Sequence, residues 1–316
     1  MYKDKTVAVV VPCYNEEKLI ARVIGTMPDF VDHIVCVDDQ SRDRTSAIIE
    51  EHVAAQPGRV VLIRLPQNEG VGGAIAAGYR WARDEGIDVT AVMAGDAQMD
   101  PEDLHTLLDP VVAGEVDYAK GNRLFTGEAW MKIPRVRYIG NSLLSMLTKI
   151  ASGYWHIADS QTGYTVANLN VLKTIDLDGI YKRYGMPNDM LVKLNIYNFR
   201  VCDIPIKPVY GIGEESGIRP IRLVPHLSLL LLRLFGHRMV QKYVIRDFHP
   251  LVLFYFTGFL LLALGLLFGL YVVGYRLFVG SVGDNTPLFT AFLLIMGWQS
   301  MLFAMWFDME MNRHLK

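Results

Sequence analysis

The chain has 316 residues, 51% of them hydrophobic, and a formal net charge of −2. That length allows one or two domains plus membrane segments, and the near-zero net charge gives no sign of a nucleic-acid partner. Three cysteines, Cys13, Cys36 and Cys202, are odd in number and lack metal-site spacing, so they read as reduced, buried thiols of a cytosolic domain.

Residues 1 to about 125 alternate strand and helix. Met1 to Lys5 run straight into a soluble-looking strand, Thr6–Val11, so no signal peptide is expected. Glu17–Met27 predicts a helix with Leu19, Ile20, Val23, Ile24 and Met27 on its apolar face. His33–Val37 predicts a second strand that ends in Asp38-Asp39, and Asp43–Ala55 the next helix. Val60–Ile63 and Val89–Met93 read as strands around a glycine-entered helix, Gly70–Arg83, and Tyr118–Lys120 as a short fifth strand. Strands about 25 to 30 residues apart with helices between them predict βαβ units and a parallel sheet. Polar groups gather just after the strands, at Asn15-Glu16, Asp38-Asp39, Asn68-Glu69-Gly70 and Asp96-Gln98, as expected for ligand binding at one rim of an α/β sheet.

The remainder is less regular. Val136–Ile150 predicts an amphipathic helix, Asn188–Phe199 another, and Arg200–Ile206 a strand, with a loop marked by Pro205, Pro208, Gly211 and Gly213. Ile221–Ile245 predicts a helix rich in Leu yet carrying Arg222, Arg233, His237, Arg238, Lys242 and Arg246, which reads as interfacial. Pro250–Tyr275 and Asn285–Phe307 contain no charged residue, and each is long enough to cross ~30 Å of hydrocarbon. Basic residues before the first span and after the second predict a two-span hairpin with the catalytic domain and both ends cytoplasmic. The expected divisions are residues 1–219, a juxtamembrane helix 220–248 and a hairpin 249–316. Oligomeric state is left open, a homo-oligomer included.

Asp96, at the C-terminal end of a predicted strand, reads as a carboxylate that holds a divalent metal on a diphosphate, with the Gln98 amide oxygen in reach of the same ion. Asp100 before Pro101 reads as a helix cap with direct chemistry as the alternative. Asp39, and less so Asp38, could accept hydrogen bonds from a ribose or base, while Ser41, Asp43 and Thr45 could cap the following helix. The glycines after Asn68 allow either amide contact with phosphate or close helix packing. Arg123, Arg135 and Arg137 are the cations nearest in sequence for an anionic acceptor.

Taken together, Val11-Pro12-Cys13-Tyr14-Asn15-Glu16, Val37 through Thr45, Gly121-Asn122-Arg123 with Arg137 and Asn141, and Asp159 through Tyr164 resemble the family-2 glycosyltransferases of GT-A fold. Within these the whole chain is similar to the polyprenyl-phosphate glycosyltransferases, the group of dolichol-phosphate mannose synthase and undecaprenyl-phosphate hexosyltransferases. The resemblance implies an α/β, Rossmann-like, mostly parallel sheet followed by an interfacial helix and a transmembrane hairpin. It implies that Pro12, Tyr14, Glu16, Val37, Asp39 and Gly95 bind the donor, that Asp96 and Gln98 hold Mg²⁺ or Mn²⁺, and that Arg123, Arg137 and Asn141 bind the acceptor phosphate. The family's Asp-x-Asp is Ala94-Gly95-Asp96 here, one acid short.

The activity so implied is inverting transfer of a hexose from a UDP- or GDP-linked sugar to undecaprenyl or dolichyl phosphate. A phosphate monoester with a second pKa near ~6 is largely ionised at neutral pH and needs no strong base. Asp159 is the candidate base or orienter and Asp189 its competitor. The alternatives are transfer to another lipid such as diacylglycerol, or a catalytically degenerate nucleotide-sugar-binding scaffold.

Overall fold

The computed structural model describes residues 1–124, 135–207 and 220–316, the last two segments with backbone alone for 135–139, 141 and 220–225. The expected loop around Pro208, Gly211 and Gly213 lies outside the described residues. The chain divides into two compact units, residues 1–235 with 315–316, and residues 236–314.

The first unit is built on a strand, β1 (Val7–Cys13), in which every residue is buried. Full burial on both faces explains why it reads as a continuous Val run rather than an alternation. It pairs in parallel with β2 (His33–Asp38) and β4 (Val89–Val92), and β2 pairs in parallel with β3 (Val60–Arg64). Helices α1 (Ile20–Gly25), α2 (Thr45–Ala55) and α3 (Val71–Asp84) connect these strands. The Pro101–Asp103 turn and α4 (Leu104–Val112) lead to β5 (Tyr118–Asn122), two residues longer than its apolar core suggests. The predicted amphipathic helix is α5 (Arg135–Ser152), and α7 (Met186–Ile196) and β7 (Val201–Pro205) match the later predictions to within a few residues.

A sixth strand, β6 (Thr165–Asn168), followed by the short α6 (Leu169–Thr174), was not predicted. It gives the sheet its order, β3-β2-β1-β4-β6-β5-β7, and runs antiparallel to both neighbours. Its direction matters for the site. Thr165 pairs with Val92 on one side and Lys120 on the other, so the segment entering β6 arrives at the rim where β1, β2, β4 and β5 end. Residues 159–164 thereby meet turns distant in sequence.

Two apolar layers cover the sheet. One contains Ile20, Ile24, Ile49, Leu104 and Leu107, and the other Ala74, Tyr79, Tyr154, Met190 and Leu194. Each such buried Ile, Leu or Met side chain contributes roughly 1.5–3 kcal/mol. Helix α8 (Pro220–Val240) follows the predicted juxtamembrane helix, and its Leu230 and Leu234 pack on Val192 and Ile196 of α7.

In the second unit, α8 ends in a π-helical turn, Gln241–Arg246. Helices α9 (Leu251–Phe278) and α10 (Asn285–Met311) form a hairpin, and both are long and apolar enough to cross a membrane. Only 22% of the most apolar stretch of each is buried, which separates them from core helices of a water-soluble fold. A Cβ at Gly265 would lie 2.8 Å from Leu294, and one at Gly297 2.8 Å from the Leu262 backbone, so these glycines permit the close approach. At Gly274, by contrast, a Cβ would meet nothing within 4 Å.

Two basic residues that sequence reading assigns to an interfacial face are enclosed instead. Arg238 is fully buried and makes paired hydrogen bonds of 2.7 and 2.9 Å to Asp308, which also accepts from the Tyr243 hydroxyl at 2.8 Å. Lys242 donates to Asn312 at 2.7 Å, and burial pulls its ammonium down to about 7, helped by the Arg238 charge. Carboxylate and cations lie about seventy positions apart, so no local pattern reveals the pairing.

Candidate active site

Three turns of the rim share one backbone feature. Asn15, Gln40 and Ala97 follow β1, β2 and β4 with φ of 57°, 62° and 56°. Left-handed backbone is uncommon outside glycine and gathers where surrounding structure enforces it. The enforcing contacts are visible. The Asn15 amide donates to Ser41 Oγ at 2.9 Å, the Glu16 amide to Thr45 Oγ1 at 2.8 Å and the Glu17 amide to Asp43 at 3.1 Å. Asn15 Oδ1 in turn accepts from the Arg42 amide at 2.8 Å. Ser41, Asp43 and Thr45 thus fasten two turns together rather than merely capping α2.

Within this frame Tyr14 is exposed and Glu16 half-buried, while Pro12 and Val37 are paired neighbours buried at the strand ends. The Val37 side chain packs in the core of the sheet. Asp38 is likewise occupied, accepting from the Ser41 amide and the Ser46 hydroxyl. Asp39 accepts from the Glu69 and Gly70 amides at 2.7 and 2.8 Å, and Asn68 donates to its carbonyl. Burial raises the Asp39 carboxyl, and these two amide bonds oppose the rise.

The glycine-rich entry to α3 takes the packing alternative. The Gly72 and Gly73 amides both donate to the Lys182 carbonyl, and a Cβ on Gly72 would stand 2.1 Å from the Tyr181 oxygen. Amides already satisfied by backbone form no phosphate cradle.

Asp96 lies in the turn after β4, where its Oδ1 accepts from the Gln98 amide at 3.1 Å. Gly95 donates to the Pro12 carbonyl, and a Cβ there would press on Pro12, Cys13 and Glu16 at 3.2–3.4 Å. The Glu16 carboxyl is pushed up to about 7 by burial, then by the Asp96 charge and that of Asp43. A carboxyl whose ionisation is opposed by neighbouring acids marks a place where a cation would be stabilised. Among the described residues no three His, Cys, Asp or Glu side chains group to hold a metal ion. One carboxylate with an amide oxygen fits the manner in which Mg²⁺ binds between protein and substrate phosphates. Asp100 is a cap: its Oδ1 accepts from the Glu102 amide at 3.0 Å.

On the other side of the rim Arg123 donates three hydrogen bonds to Asp159, from its amide, Nε and Nη2, at 3.2, 2.8 and 3.2 Å. Asp159 is completely buried. Burial alone would raise its carboxyl, but Arg123 outweighs it and holds the group below the usual carboxylate range. A carboxylate so engaged orients Arg123 and is a poor proton acceptor, so of the two roles foreseen for Asp159 the geometry fits the orienter. Asp189 accepts from the Tyr181 amide at 2.9 Å and Lys193 Nζ at 2.7 Å, so its charge turns toward residues 179–182. Its neighbour Asn188 accepts from Gln161 and Thr148, linking α7, α5 and the Asp159 loop. Arg135, Arg137 and Asn141 occupy the first two turns of α5, and their side chains lie outside the described residues. Cys13 and Cys36 are buried free thiols as expected, whereas Cys202 is only half-buried. Sequence reading overlooked Lys120 and Asp203, beneath Arg123. The available signal was a lysine in register with the inward alternation of a short apolar strand.

Comparison with known proteins adds the following. The sequence profile described as glycosyl transferase family 2 matches residues 8–176. A UDP-N-acetylglucosamine–dolichyl-phosphate N-acetylglucosaminyltransferase of Methanococcus voltae is 29% identical over 219 residues, spanning 66% of this chain and 87% of the relative. An undecaprenyl-phosphate 4-deoxy-4-formamido-L-arabinose transferase of Pectobacterium carotovorum is 28% identical over 291 residues, 83% of this chain and 87% of that one. Among solved structures, glucosyl-3-phosphoglycerate synthase of Mycobacterium tuberculosis, in complex with Mn²⁺, UDP and its product, superposes with a TM-score of 0.53. It shares 17% identity over 74% of this chain and 80% of that one. At that identity the likeness is one of fold, the mostly parallel GT-A sheet.

Proposed function

This chain belongs to glycosyl transferase family 2, and from that premise we propose that it transfers a hexose from a UDP- or GDP-linked sugar to a polyprenyl phosphate at the cytoplasmic membrane face. The relatives named for dolichyl and undecaprenyl phosphate support that acceptor. The observation that carries it is the clamped arginine. A guanidinium fixed by a buried carboxylate, on the rim shared with Asp96 and Asp39, suits a phosphate acceptor. A hydroxyl acceptor such as diacylglycerol needs a general base, and the two candidate bases are already committed to Arg123 and Lys193.

In this reading Tyr14, Glu16 and Asp39 bind the nucleoside part, over a floor of Pro12 and Val37. Asp96 and Gln98 hold Mg²⁺ or Mn²⁺ with Gly95 allowing close approach, and the bound ion supplies charge neutralisation for the departing diphosphate. Arg123, with Arg137 and Asn141 from α5, receives the lipid phosphate. Asp159 and Asp189 act as positioning groups, since an ionised phosphate oxygen attacks without losing a proton. Attack opposite the leaving diphosphate inverts the anomeric carbon. Residues 1–219 form the catalytic domain, 220–248 the juxtamembrane helix and 249–316 a multi-pass anchor with both ends cytoplasmic.

The test offers membranes a panel of UDP- and GDP-sugars with polyprenyl phosphate or diacylglycerol and identifies the glycolipid by mass. A sugar phosphate-linked to polyprenol is expected, lost on chelation and reduced at least 100-fold by Asp96→Asn at unchanged melting temperature. Product on diacylglycerol alone refutes the acceptor. No product with any donor favours the scaffold alternative that Ala94 raises.

A further inference from the structure

Beneath Arg123 lies a second layer of charge. Lys120 projects from the middle of β5, 1% exposed, and its ammonium donates to the Thr162 carbonyl. An ammonium removed from water is costly unless it is paired. Its partners are identifiable: Lys120 pairs in register with Asp203 on β7, and the Asp159 and Asp203 charges both stabilise its protonated form. Burial pulls Lys120 down to about 8 against that support.

Asp203 completes the arrangement. One oxygen accepts from the Ala158 amide at 2.6 Å and from Asn122 Nδ2 at 3.0 Å, and the Asp159 amide also bonds to this carboxylate. Its Oδ1 is enclosed without a hydrogen-bond partner among the described residues, leaving the Lys120 charge to stabilise it. The loop 158–162 is therefore fastened at its start by Asp203 and at its end by Lys120. Between those two fastenings stands Asp159, which takes three donors of Arg123.

We propose that Lys120 and Asp203 are positioning residues for the anionic acceptor, fixing the Asp159 loop at both ends and so aiming Arg123 at the lipid phosphate. The inference rests on the polyprenyl phosphate reading. Among the described residues their hydrogen bonds run to Thr162, Asn122 and the 158–159 backbone and not to the donor turns at Asp39 or Asp96, so their effect divides between the two substrates.

The full-length protein in detergent is assayed with donor and polyprenyl phosphate varied separately. Lys120→Met, which keeps the apolar stem, is expected to raise the acceptor KM about tenfold while the donor KM stays within twofold. Asp203→Asn acts in the same direction and more weakly, because an amide oxygen still accepts from Ala158. The double variant, with both charges removed, is expected to lose less than the product of the single losses. Should Lys120→Met fail to fold, Asp203→Asn carries the same KM comparison. An unchanged acceptor KM, or a donor KM rising in parallel, overturns the inference and leaves the acceptor reading standing. A wild-type protein that uses only a hydroxyl lipid overturns both.

Discussion

At the scale of single residues, the rim is a set of carboxylates sorted by what holds them. Asp159 and Asp203 show the sorting in opposite directions. Asp159 has its carboxyl lowered, so its pairing with Arg123 stabilises the fold above the unfolded value of 3.8 and is lost as pH falls through the lower folded value. Asp203 is raised from 3.8 to about 6, chiefly by burial, so it favours the folded state at acid pH and loses that contribution as pH rises toward 6. Asp203→Asn should therefore destabilise the protein most below pH 4. The gap from wild type should close by on the order of 2–3 kcal/mol between pH 4 and 6, then level off. Melting curves in detergent across that range measure it, and a gap independent of pH contradicts the assignment. Much of the rim was legible in the sequence because acids and amides after strands have few other reasons to cluster. Lys120 was not, since one lysine in a five-residue strand reads equally well as a solvent-facing residue.

At the scale of elements, hydrophobic runs located β1, β2 and β4 because burial on both faces leaves an unbroken apolar signature, and the half-buried edge strand β3 showed through its short run of β-branched residues. β6 escaped notice because it has four residues, ends in Asn168 and owes its existence to partners far away in the chain. The glycine-rich entry to α3 shows the converse: the pattern was visible, but two physical causes share it. The contact that decides between them yields a prediction. Gly72→Ala drives a methyl into the Tyr181 carbonyl and the Met186 side chain, and backbone cannot retreat as a side-chain tip can. A loss of about 1–3 kcal/mol is expected, with a raised donor KM because the same turn holds Asp39 through Glu69 and Gly70. A variant as stable as wild type would show that the turn yields.

At the scale of the whole molecule, charge inside the apolar unit is confined to one knot formed by Arg238, Lys242, Tyr243, Asp308 and Asn312. Sequence rules counted the cations as surface charges because a rule for loops and helix ends does not see a distant carboxylate. Arg238→Met takes the bidentate guanidinium from the buried Asp308 carboxylate, which keeps its hydrogen bonds to Tyr243 and Asn312, and should cost about 3–5 kcal/mol, most of which returns on adding Asp308→Leu. Melting of the two variants in detergent distinguishes this from a surface role, in which both would be neutral. The antiparallel strand has a further consequence, for biosynthesis. β3, β2, β1 and β4 are complete once residue 92 has emerged, but β4 then presents an open edge until Thr165–Asn168 follow. At roughly 5–20 residues per second the nascent chain carries that edge for about 4–15 s. Unpaired edges recruit other strands, so residues 1–112 alone should elute above monomer size and residues 1–207 far less so. During its own synthesis the chain therefore passes through an interval in which a chaperone, or a slower ribosome, decides between folding and aggregation.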